Sequence, residues 1–76
     1  MKKNVLKVGY DYFKVSSIDH MKEPTLREIC GFLTVSYKVN NVEYSVDTNM
    51  HSKIEVQEIY DEARTLFRVF SLLGDK

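Results

Sequence analysis

Tryptophan is missing from this sequence, proline and cysteine occur once each, at Pro24 and Cys30, and glycine occurs only at Gly9, Gly31 and Gly74. A lone cysteine excludes an internal disulfide and gives none of the paired short spacings of a structural zinc site. Three glycines this far apart make no phosphate-cradling loop. Net charge is missing too, since eleven basic side chains balance eleven acidic ones. The counterion release that drives non-specific binding to a polyanion therefore has no global source, although a local basic patch can still form. No apolar run approaches the roughly 18–20 residues of a membrane-spanning helix. The basic start, Met1-Lys2-Lys3, resembles a secretory leader, but Lys7, Asp11 and Lys14 break the apolar stretch that a leader needs. The chain is accordingly expected to be unprocessed and cytoplasmic.

Alternation is what the sequence has in quantity. Leu33, Val35, Tyr37 and Val39 lead into Asn40-Asn41, and Val42, Tyr44 and Val46 lead out. A two-residue loop sets Val39 opposite Val42, Tyr37 opposite Tyr44 and Val35 opposite Val46, placing every apolar residue on one face and Lys38 against Glu43 on the other. The expected hairpin is Phe32-Val39 and Val42-Asp47.

Upstream, alternation between Val5 and Val15 changes parity. Leu6, Val8, Tyr10 and Tyr12 share one face, and Phe13 and Val15 take the other. A bulge near Gly9 to Tyr12 is the preferred account of the shift, with a tight turn at Gly9-Tyr10-Asp11 as its rival. From Ser16 to Gly31 the pattern reads as a connector with a short helical turn. Thr25 and Glu28 have capping-box spacing, Leu26, Ile29 and Cys30 make an i, i+3, i+4 stripe, and Gly31 can end the turn with positive φ.

The C-terminal segment carries the clearest helical pattern. Ser52 and Glu55 match a capping box, Gly74 stands where a C-terminal cap belongs, and a helix is expected over about 53–73. At about 100° per residue, Val56, Ile59, Tyr60, Ala63, Leu66, Phe67, Phe70 and Leu73 fall within an arc of about 140°. Glu55 and Glu58 near the start, with Arg64, Arg68 and Lys76 toward the end, suit the helix dipole. The expected architecture is one small α+β domain over residues 1–76, with an antiparallel sheet of about three strands packed on one long helix. Such a short chain buries only about 60–65% of its unfolded surface, so self-association or a partner would add to a thin stability margin.

Chemistry-bearing residues are sparse. Cys30, His20 and His51 are too scattered to imply a metal site or a nucleophile with its base. Ser45, Asp47, His51 and Ser52 contain the residue types of a hydrolase triad, but Ser52 serves better as an N-cap and Asp47-Thr48-Asn49 as a strand-ending turn. No catalytic residue, metal or cofactor is expected. Tyr37 and Tyr44 share the face that the helix should cover, which removes them as platforms for stacked bases. Glu55 and Glu58 in the first helical turns would repel phosphate.

At the far end of the helix, Val69 and Leu72 lie off the apolar arc beside Phe70 and Leu73, making the helix apolar nearly all round. Together with Arg64 and Arg68 they are the candidate partner-binding residues. The expected function is non-enzymatic binding of a protein partner or a second copy. A small regulator or inhibitor of a larger machine, of the kind phages and mobile elements encode, fits this size. The alternative is a nucleic-acid-binding module using a local basic or aromatic surface.

Overall fold

Three two-residue turns organise the computed structural model, which describes residues 5–74. Strands β1 (Val5–Val8) and β2 (Asp11–Lys14) close around Gly9-Tyr10, and β3 (Met21–Ile29) and β4 (Phe32–Val39) around Cys30-Gly31. Strand β5 (Val42–Asp47) follows β4 across Asn40-Asn41. One turn of 3-10 helix, Val15–Ser17, joins β2 to β3, and helix α1 spans Lys53–Gly74. Backbone φ is positive at Gly9 (64°), at Cys30 and Gly31 (52° and 83°) and at Asn40 and Asn41 (51° and 69°). These are the mirror-image turns whose twist matches that of the strands they connect.

The β4–β5 register is the expected one, with Val39 on Val42, Lys38 on Glu43, Tyr37 on Tyr44 and Val35 on Val46. Because Asn41 has positive φ, Asn41→Gly should keep or slightly raise the thermal midpoint. Asn41→Val, forcing a β-branched residue into the left-handed region, should cost about 1–2 kcal/mol in denaturant titration.

The parity change near the N-terminus comes from a turn, not from the preferred bulge. Two residues spent at Gly9-Tyr10 reverse the chain, so Phe13 pairs with Leu6 and both join Val8 on the inward face. Tyr10 and Tyr12 are left exposed. Glu62 of α1 fastens this hairpin, accepting from the Gly9 N–H at 2.8 Å and from Lys7 Nζ at 2.9 Å. The carboxylate raises the Lys7 ammonium above its ordinary pKa.

The expected helical turn over Thr25 to Cys30 is also overturned, because those residues belong to β3 and its turn. A helix of barely two turns gains little without packing. A strand instead pairs along β4 from Thr25 on Ser36 to Ile29 on Phe32. Gly31 does have positive φ, but as the second residue of a hairpin loop rather than as a helix cap. Cys30, read as closing an apolar stripe, is exposed at the hairpin tip.

The main sheet has the order β3-β4-β5, and β1-β2 forms a separate ribbon. Helix α1 lies over β3 and β4 and against β1. Beside it the ribbon sets Phe13 edge-on to Tyr37 and Tyr44, with ring centroids 6.4 and 5.5 Å away, while those tyrosines stack at 5.0 Å. Burial raises the Tyr37 hydroxyl well above its ordinary pKa. The core joins Val8, Val15, Ile18 and Met21 to Val35, Tyr37 and Val39, roofed by Val56, Ile59, Ala63 and Leu66.

Ser52 caps the helix, its Oγ accepting the Glu55 N–H at 3.1 Å. Ser52→Ala should cost about 0.5–2 kcal/mol, read as a lower urea midpoint at unchanged m-value. Lys76, placed with the dipole-matching residues, and Met1-Lys2-Lys3 lie outside the described residues. No described helix is long and apolar enough to cross a membrane.

Candidate binding surface

The four residues singled out at the helix end do not form one patch. Val69 is half-buried and packs against the core. Leu72 is 69% exposed. It lies nine residues after the fully buried Ala63, and at about 100° per residue the two side chains point in opposite directions. The expectation that the helix is apolar nearly all round therefore separates into a core contact at Val69 and a solvent-facing side chain at Leu72.

Arg64 and Arg68, one turn apart, line a shallow groove with Phe67 and Ser71 of α1 and with Glu23 and Pro24 of β3. The Arg64 guanidinium lies 5.6 Å from the centroid of the Tyr60 ring, which holds it along the helix surface. Neither arginine makes an ion pair among the described residues. Among the described residues no acceptor engages their donors, and Leu72 follows Arg68 by one turn on the same side. Sequence reasoning missed Glu23 and Pro24 because it assigned them to a helical connector. The Cys30-Gly31 dipeptide was the available signal, since a hairpin there draws the preceding residues into a strand under the helix.

The second cluster lies at the other end of the helix. The Tyr10 hydroxyl donates to Glu55, and His51 Nδ1 lies 3.4 Å from the same carboxylate oxygen. Chiefly through the Tyr10 bond, with His51 and the Ser52 N–H adding to it against some desolvation, the Glu55 carboxyl sits below its ordinary pKa. The same bond raises the Tyr10 hydroxyl. A carboxylate whose proton affinity has been lowered and whose lone pairs are engaged is a poor proton acceptor, so this arrangement acts as a clasp between the first turn and the helix start.

The residue types of the hydrolase triad are dispersed among structural tasks. Ser52 Oγ caps the helix and Asp47 Oδ1 accepts from the Asn49 N–H. His51 turns to Glu55 rather than to Asp47. Among the described residues no group of three or more histidine, cysteine or acidic side chains could hold a metal ion.

The uncovered face of the main sheet is polar except beside the Cys30-Gly31 turn, where the paired Ile29 and Phe32 are 50% and 43% exposed. Lys22, Glu23, Thr25, Arg27, Thr34, Ser36, Lys38 and Glu43, with Ile29 and the edge of Tyr37, line an open depression of about 340 Å³. Cations and carboxylates are interleaved there, Lys38 opposite Glu43, and the nearby tyrosines turn their rings inward. That face offers no uniform field for phosphate, and Phe32 at its end is a single exposed ring rather than a row of rings for successive bases. No protein-family model, curated protein or solved structure matches this chain.

Proposed function

We propose that this chain is a non-enzymatic binding protein that docks on another protein and regulates or inhibits it. Leu72 carries the reading. A large aliphatic side chain 69% exposed one helical turn beyond Arg68, which lines a groove with Arg64, supplies an apolar anchor near two guanidinium groups that make no ion pair among the described residues. Its complement is an acidic segment with an apolar residue about one helical turn from its carboxylates. Arginine is suited to such a site because its planar fork grips a carboxylate at two points.

The test is the variant Arg64→Glu/Arg68→Glu/Leu72→Ser, used as bait in the organism that encodes the protein. All three side chains are exposed, so melting should stay within a few degrees of the parent while capture of a stoichiometric protein is lost. Val69→Ser is the control and should lower the melting midpoint, because Val69 is half-buried against the core. Equal capture by parent and triple variant would refute this surface. Loss of the captured material on nuclease treatment would favour the nucleic-acid alternative.

A further inference from the structure

The two free edges of the main sheet are not equivalent. Along β3, Pro24 has no N–H to offer and the register shifts between Lys22 and Thr25, devices that blunt an edge against pairing. Strand β5 has neither. A two-residue loop closes on a hydrogen-bonded pair, here Val39 and Val42, and such pairs alternate, so Tyr44 and Val46 also turn their peptide groups toward β4. The Thr48 N–H continues the same phase by donating to the Leu33 carbonyl at 3.0 Å. The N–H and C=O groups of Glu43 and Ser45 consequently face the open edge. The Asp47 carbonyl, next in that row, is already occupied by the Met50 and His51 N–H groups.

The side chains along this edge are apolar on the inward face. Val42 is 52% exposed, and Tyr44 and Val46 are half-buried even though helix and ribbon share that face. We propose that two copies of this chain associate through β5, pairing antiparallel about Tyr44 so that two three-stranded sheets become one. In that register Tyr44 meets Tyr44 of the second copy, Val42 meets Val46, and Glu43 meets Ser45, whose peptide groups exchange the hydrogen bonds that the edge leaves open.

Charge selects this register over its neighbour. Face-matching pairings differ by two residues, and centring the pair on Ser45 instead would set Glu43 directly against Asp47, a like-charge pair that disfavours association. Strand β5 is thus self-complementary in one alignment. The arginine groove lies over β3, at the opposite edge of the sheet, and stays open in both copies.

Ser45→Lys and Ser45→Glu test the proposal by sedimentation equilibrium. Ser45 is exposed on the polar face, so both variants should fold, as circular dichroism would confirm. In the proposed register position 45 faces Glu43 of the second copy. Lysine should therefore tighten the dimer several-fold and glutamate weaken it several-fold. If position 45 faced itself, both substitutions would weaken it, and that result overturns the register. Amide exchange on the unmodified chain gives a second reading. Glu43 and Ser45 amides should slow by tenfold or more as concentration rises, while those of Val42, Tyr44 and Val46 stay slow throughout. A chain still monomeric at about 1 mM, or a dimer whose Glu43 and Ser45 amides exchange as fast as in the monomer, overturns the proposal.

Discussion

Leu66→Ala is expected to lower the unfolding free energy by about 2–5 kcal/mol, measured as a drop in urea midpoint at constant m-value. Leu66 is fully buried and is among the bulkiest side chains closed off from solvent. Truncation removes apolar burial and leaves a void beside Ala63, a turn earlier, whose side chain is too short to collapse into it. A chain of 76 residues has about 4–11 kcal/mol of stability in total. The upper part of the expected loss would therefore leave an appreciable unfolded fraction at room temperature. Leu72→Ala, six residues further along the same helix, should change stability by less than about 0.5 kcal/mol. Similar losses at both positions would refute the assignment of Leu66 to the core and Leu72 to solvent.

The second large effect is expected at Asn40. Its Oδ1 accepts from the Asp19 and His20 N–H groups at 2.7 and 3.1 Å, and its Nδ2 donates to the Ser17 carbonyl at 3.0 Å. Its backbone N–H donates to His20 O at 2.7 Å. One side chain thus ties the segment leading into β3 to the β4–β5 turn while its own backbone sits at φ 51°. Asn40→Ala loses those side-chain bonds and places a Cβ-bearing residue without local hydrogen bonding in the left-handed region, for an expected total of about 2–4 kcal/mol. Asn40→Gly relieves the backbone and still loses the bonds, so it should recover about 1 kcal/mol of that. Asn40→Asp keeps the acceptor and loses only the donor, and should be the mildest of the three in thermal melts. A glycine variant as stable as the parent would mean that the side chain contributes nothing beyond its tolerance of positive φ.

Asn40 also marks how far the sequence could be read. Its place in a two-residue turn, and with it the pairing of three valine and tyrosine pairs, follows from alternation on either side of it. Its bonds to residues 17–20 do not follow from any local pattern, since they depend on where the chain returns after β2. The helix was legible for the same reason as the turn: Ser52, Glu55 and the apolar stripe all act within the segment, and the assigned Lys53–Gly74 extends the expected span by a single residue.

Strand β3 was misread because its residues satisfy two local patterns. Thr25 with Glu28 and Leu26 with Ile29 fit a helical turn, and the competing strand is stabilised by a neighbour that only the Cys30-Gly31 turn brings alongside. The parity change at Gly9 was visible, but a bulge and a turn produce it equally well until Glu62, more than fifty residues away, holds the ribbon in place. At the candidate surface, Leu72 and the two arginines were found from the helical pattern. Glu23 and Pro24 were not, since their place depends on the misread strand.

Every strand pair among the described residues joins neighbours across two residues, so the entropy lost in closing each loop is small and each ribbon can zip from its own turn. Such locality favours rapid formation of β3-β4-β5. The ribbon β1-β2 is different, because its fastening to Glu62 spans 53 to 55 residues. The ribbon therefore waits for the helix. A sheet that has zipped from its own turns keeps its apolar face uncovered until α1 settles over β3, β4 and the ribbon.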